Sequence, residues 1–128
     1  KTLSKLQERY AKEGIAFRGY VSTSKATEQS VAAFKAKFNI PFAIEPDASL
    51  SKAHHLRAKV TPEVVVRDRD SKTLYRGRID NTYADFGKRR RVTTSHDLRD
   101  VLEALAKGEA VEPKSTEAIG CFIPFTKF

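Results

Sequence analysis

A chain of 128 residues holds one domain and buries a core of useful size; 40% hydrophobic and 31% charged residues are the balance of an ordinary globular protein. No apolar run approaches the roughly 18 residues of a membrane span, and a single cysteine, Cys121, excludes an internal disulfide. The net charge of +8, with a pI near 9.7, is compatible with nucleic acid, anionic lipid or acidic protein partners.

Residues 1–12 have helical spacing, with Leu3, Leu6 and Tyr10 on one face and Lys5, Glu8, Arg9 and Lys12 largely opposite. Gly14 closes the helix as a left-handed cap. The helix has neither a start signal nor an N-cap, so residues upstream of Lys1 are expected. Ile15 to Val21 alternates as a strand. A second helix, capped by Thr27 or Ser24, carries Val31, Phe34 and Phe38 on its apolar face and stops at Asn39 and Pro41. Phe42-Ala43-Ile44 is a short strand, Pro46-Asp47 a turn, and Ser49 the cap of a short helix with Leu50, Ala53 and Leu56 inward. His54 and His55 sit on that helix about 100° apart, which hinders joint coordination of one ion, so no metal site is assigned.

The chain turns on VTPEVVVRDRDSKTLYRGRID, residues 60–80. Val64-Val65-Val66 is short and β-branched, which suits a strand buried on both faces, with Pro62 at its start where a missing N–H does least harm. Arg69-Asp70-Ser71-Lys72 closes a hairpin. The returning strand, with Tyr75, Gly77 and Ile79 on one side and Leu74, Arg76 and Arg78 on the other, reads as an edge strand with one wet face.

Asn81 to Thr94 is a long polar loop with Tyr83 and Phe86 as its large side chains, and loops of that length are often functional. It carries Lys88, Arg89, Arg90 and Arg91, a patch for an acidic protein partner if it is more than a solvated run; without interleaved aromatics it does not favour nucleic acid. Thr94 or Ser95 starts the last helix, whose stripe is Leu98, Val101, Leu102 and Leu105, and Gly108 closes it. His96 reads as a surface residue. Residues 1–108 thus form the domain. Residues 109–128 form a tail too apolar, in Ile119-Gly120-Cys121-Phe122-Ile123-Pro124-Phe125, to stay in water, so it packs on the domain or on a partner.

Three segments together, VTPEVVVRDRDSKTLYRGRIDN, SHDLRDVLEALAKGEAV and the closing TEAIGC, resemble the bacterial thioredoxin-like redoxins, relatives of the peroxiredoxin and alkyl hydroperoxide reductase superfamily. With the opening helix KTLSKLQERYAKEGIAF, the resemblance spans nearly the whole chain. It implies an α/β thioredoxin-like fold, with a central mixed sheet, helices on both faces and a C-terminal tail. It also implies a cis bond at Thr61-Pro62, because that step falls on the family's cis-proline position. The family's nucleophilic cysteine would lie a few residues before Lys1, so this sequence lacks it together with the first strand.

The activity so implied is thiol-dependent reduction of disulfides or peroxides, without a cofactor and outside the cytoplasm, with a thiol electron donor or a disulfide-bearing protein as partner. Cys121 is the matching second, resolving thiol, or else a packed, unreactive one; Thr61, Pro62 and Glu63 form the substrate-contact loop. The chain departs from true peroxiredoxins, which have an arginine shortly after the proline, where Glu63 and three valines stand; Arg76 and Arg78 are the nearest substitutes in sequence. A second reading is a redox-silent interaction module on the same scaffold. A third, weaker one is metal handling through His54 or His55.

Overall fold

The structure, a computed structural model, describes residues 2–85 and 88–123. The chain forms two compact units: one runs from its start to Arg57 and takes in Ile123, and the other is Ala58–Phe122.

In the first unit, helix α1 (Thr2–Tyr10) buries Leu6 and Tyr10, four residues apart on its apolar stripe. A 3₁₀ turn follows at Ala11–Glu13, and Gly14, at φ +80°, donates its N–H to the Ala11 carbonyl at 3.2 Å. Strand β1 (Arg18–Val21) is shorter than the expected strand, and a strand at β2 (Ala43–Pro46) pairs with it in parallel, Gly19 opposite Ile44. Between them lies α2 (Glu28–Phe38), started by Thr27 and not Ser24. The Ser30 N–H reaches Thr27 Oγ1 at 3.0 Å, and the Thr27 N–H reaches Ser30 Oγ at 2.9 Å, a reciprocal capping box.

The apolar face expected for α2 is only partly buried. Val31 is in the core, whereas Phe34 and Phe38 are 48% and 56% exposed. The two rings satisfy part of their apolar surface on each other, with centroids 4.8 Å apart, and the Lys37 ammonium lies 5.4 Å from the Phe38 ring centre. Helix α3 (Ser51–His55) has Leu50 and not Ser49 at its N-cap; Ser49 Oγ accepts only the Ser51 N–H, at 3.4 Å, and Asp47 holds the rest of the first turn. The buried Asp47 carboxylate accepts the N–H groups of Lys52 at 3.1 Å and Ala53 at 3.0 Å and the Ser22 hydroxyl at 2.8 Å.

The second unit begins with β3 (Val60–Thr61), a cis Thr61–Pro62 bond, β4 (Val64–Arg67) and β5 (Thr73–Gly77). The β4–β5 turn is closed by Asp68, whose Oδ1 accepts the N–H groups of Asp70 and Lys72 at 2.9 Å each. Two expectations are corrected here. The Val64-Val65-Val66 run is half-buried, not buried on both faces. Strand β5 is not an edge: β8 (Lys114–Ser115) pairs with it in parallel, giving the mixed sheet β4-β5-β8. Alternation along β5 could not reveal this neighbour, because β8 covers Tyr75 and Arg76 from nearly forty positions away in the chain.

A single central sheet is not formed among the described residues; the strands assort into β1-β2, β3-β9, β4-β5-β8 and β6-β7. The long loop contains β6 (Tyr83–Asp85) and β7 (Lys88–Arg89), an antiparallel pair, while Phe86 lies outside the described residues. Helix α4 (Asp97–Ala106) buries Leu98, Val101 and Leu102, as its stripe requires. Residues 109–122, expected as a tail, belong to this second unit and end in β9 (Cys121–Phe122), antiparallel to β3; Pro124 and Phe125 lie outside the described residues. The architecture is mixed α/β, and none of the described helices is long and apolar enough to cross a membrane.

Candidate functional site

The expected substrate-contact loop is built on a short strand that ends at a proline. Thr61 and Pro62 are exposed, and Glu63 is half-buried. The Glu63 side chain turns back on its own segment: Oε1 accepts the N–H groups of Lys59 at 3.0 Å and Val60 at 3.3 Å. A carboxylate bound to two backbone donors holds the bend that presents Thr61 and Pro62. Glu63 is therefore a support of the loop and not an open side chain on it.

Strand β9 brings Cys121 to this loop. In the β3–β9 register Thr61 is the partner of Cys121, and Val60 is the partner of Phe122. The residue before the cysteine fits only without a side chain. A Cβ on Gly120 would run into the Thr61 carbonyl oxygen, and it would stand 2.8 Å from the Thr61 carbonyl carbon and 3.2 Å from the Pro62 nitrogen. The residues expected to act together, far apart in sequence, are thus adjacent along one pair of strands.

The tail is secured one step earlier by a polar cluster that sequence reasoning missed. Tyr75 is fully buried; its hydroxyl lies 2.6 Å from both the Arg78 carbonyl and Thr116 Oγ1. Thr116 Oγ1 also accepts the Arg78 N–H at 3.0 Å, and the Thr116 N–H donates to the Arg76 carbonyl at 2.9 Å. The Arg78 guanidinium donates to Asp97 at 2.6 Å, and the Ser95 hydroxyl donates to the same carboxylate at 3.2 Å. Burial pushes the Tyr75 phenol above its ordinary value, so it stays protonated as a donor. For Asp97, burial pushes upward, but the hydrogen bond and charge of Arg78 outweigh it and hold the carboxyl below the usual range. The Arg78 guanidinium is thus paired with Asp97 through Nε.

Asn81 is another residue missed. Buried, it accepts the N–H groups of Thr94 at 3.0 Å and Ser95 at 2.9 Å through Oδ1, and donates through Nδ2 to the Thr94 hydroxyl at 2.8 Å. These bonds close the base of the loop, above which Lys88, Arg89, Arg90 and Arg91 are all exposed. No local pattern announces such a clamp, since its partners stand 13 and 14 residues away. His54 and His55 are exposed on α3, His96 is half-buried, and no group of three or more His, Cys, Asp or Glu that could hold a metal occurs among the described residues.

No family model matches the chain, and no curated protein matches it. Among solved structures, it is similar to a hypothetical protein from Sinorhizobium meliloti, with a TM-score of 0.80 and 29% identity over 97% of this chain and 69% of that one. It is also similar to an uncharacterized conserved protein from Geobacillus kaustophilus, with a TM-score of 0.81 and 25% identity over 97% of this chain and 67% of that one. The chain therefore shares its mixed α/β fold with longer proteins whose descriptions state no activity.

Proposed function

We propose that the complete protein is a thiol-dependent oxidoreductase on a thioredoxin-like scaffold, working outside the cytoplasm, with Cys121 as its resolving thiol. The observation that carries this reading is the β3–β9 register, which sets Cys121 against Thr61, next to the exposed Pro62. In the proposed reaction a cysteine at the front of α1, outside this sequence, is the nucleophile. A helix N-terminus favours thiolate over thiol and lowers the thiol pKa from near 8.5 by about one unit or more.

The thiolate attacks one sulfur of a substrate disulfide and expels the other as thiolate, which takes up a proton. Cys121 then attacks the mixed disulfide, releases the second substrate thiol and leaves a disulfide in the protein, which a thiol donor reduces. With a peroxide the first step gives a sulfenic acid and an alcohol or water, and Cys121 displaces the sulfenic oxygen as water. The exposed Thr61 and Pro62, beside β9, form the surface that an extended partner segment meets in this reading. With Glu63 and three valines after Pro62, where peroxiredoxins carry an arginine, disulfide reduction is favoured over peroxide reduction.

Mass spectrometry of the complete protein after disulfide or peroxide challenge tests this. Cys121→Ser is expected to accumulate the mixed-disulfide or sulfenic form that the wild type resolves. Equal adducts in the two proteins would remove the reading.

The exposure of Phe34 and Phe38 supports a second reading, a redox-silent interaction module. The full-length N-terminal sequence separates the two: a cysteine within about one helical turn before α1 supports chemistry, and its absence supports the module.

A further inference from the structure

We propose that Thr116 is a positioning residue whose hydroxyl sets Cys121 opposite Thr61; the inference rests on the reading of Cys121 given above. The hydrogen-bond inventory fixes the direction of each bond. A hydroxyl has one proton to give. Tyr75 gives its proton to the Arg78 carbonyl, so the Thr116 hydroxyl donates to the Tyr75 oxygen and accepts from the Arg78 N–H. The three groups close a ring in which every polar atom is satisfied. Together with the Thr116 N–H on the Arg76 carbonyl, this ring pins the end of β8 to the end of β5.

Space at the pin is made by Gly77, at φ +150°. A Cβ there would overlap Thr116 Oγ1 and lie 2.8 Å from the Thr116 nitrogen. Gly120 makes the matching room at the far end, against Thr61. The segment from Thr116 to Cys121 is therefore held at both ends, and its length of about five residues gives it a reach of roughly 17 Å at most. TEAIGC is on this account a mechanical unit: the threonine anchors, the glycine seats and the cysteine is delivered. Losing the hydroxyl would orphan the Arg78 N–H and a Tyr75 lone pair, and the strand would lose its register before the core lost its packing.

The experiment reads geometry without requiring redox activity. Thr61→Cys is introduced into the complete protein, and the rate at which the new thiol bridges to Cys121 under mild oxidation is followed by peptide mass spectrometry. Directly opposed residues of antiparallel strands have Cα atoms about 4.5–5.5 Å apart, within disulfide range. Adding Thr116→Val is expected to slow bridging about tenfold, while Thr116→Ser, which keeps the hydroxyl, stays close to the parent.

Tyr75→Phe, which removes one partner and keeps the ring, is expected to slow it about threefold and decides the matter if Thr116→Val does not fold. Bridging as fast in Thr116→Val, or in Tyr75→Phe, as in the parent would overturn the role of Thr116. A loss of bridging equally in Thr116→Ser would also overturn it. Should bridging behave as expected while Cys121→Ser leaves the adducts unchanged, the pin stands and the chemistry assigned to Cys121 falls.

Discussion

Asp97 links the stability of the fold to pH at the acid end of the range. Its carboxyl titrates lower in the folded chain than in the unfolded one, so between the two values the unfolded state binds more protons and stability rises with pH. The contribution is complete above the unfolded value near 4 and is lost as pH falls through the depressed folded value. Thermal unfolding followed from pH 6 to pH 2 should show this loss. Asp97→Asn should flatten that slope and cost about 1.5–3 kcal/mol at neutral pH, the range for a hydrogen bond to a charged group. An unchanged slope would place the acid sensitivity elsewhere. Gly120 makes an equally local claim: Gly120→Ala drives a methyl group into the Thr61 carbonyl, so β9 should separate from β3, seen as faster amide exchange at Val60 and Thr61.

Among the elements, the long loop shows what a sequence conceals. The stripes of α1 and α4, the start of α2 near Thr27 and the β4–β5 hairpin were legible because their partners lie within a few residues of one another. The pairing of β8 with β5, the β3–β9 register and the Asn81 clamp depend on residues brought together from distant segments, which no local pattern encodes. At the candidate site Cys121, Thr61 and Pro62 could be named beforehand, but Thr116 and Gly120 took on meaning only through their neighbours. The α2 face misled for the opposite reason: helical spacing announces an apolar stripe but not whether anything covers it. Asn81→Ala should free the base of the loop, raising proteolysis and amide exchange between residues 82 and 94 and lowering stability by about 1–3 kcal/mol. Protection unchanged from wild type would show that the loop is held by other contacts.

For the whole molecule, the charge of +8 bears on partners more than on fold. If the exposed run from Lys88 to Arg91 docks an acidic protein segment, a polyglutamate peptide should bind with an affinity that falls as salt rises from about 0.05 to 0.5 M, where the screening length shrinks several-fold. Reversing those charges should abolish the binding, and equal or tighter binding to a mixed-sequence oligonucleotide would assign the run to nucleic acid instead. The short β8 has a consequence for how the protein behaves in concentrated solution. Among the described residues, the outer rim of β5 is covered by two ladder pairs with β8 and the bond from the Thr116 N–H. A rim stripped of that cover recruits further chains. Variants that loosen Thr116 should therefore show themselves by turbidity that grows with protein concentration, at temperatures where the helical signal is still intact.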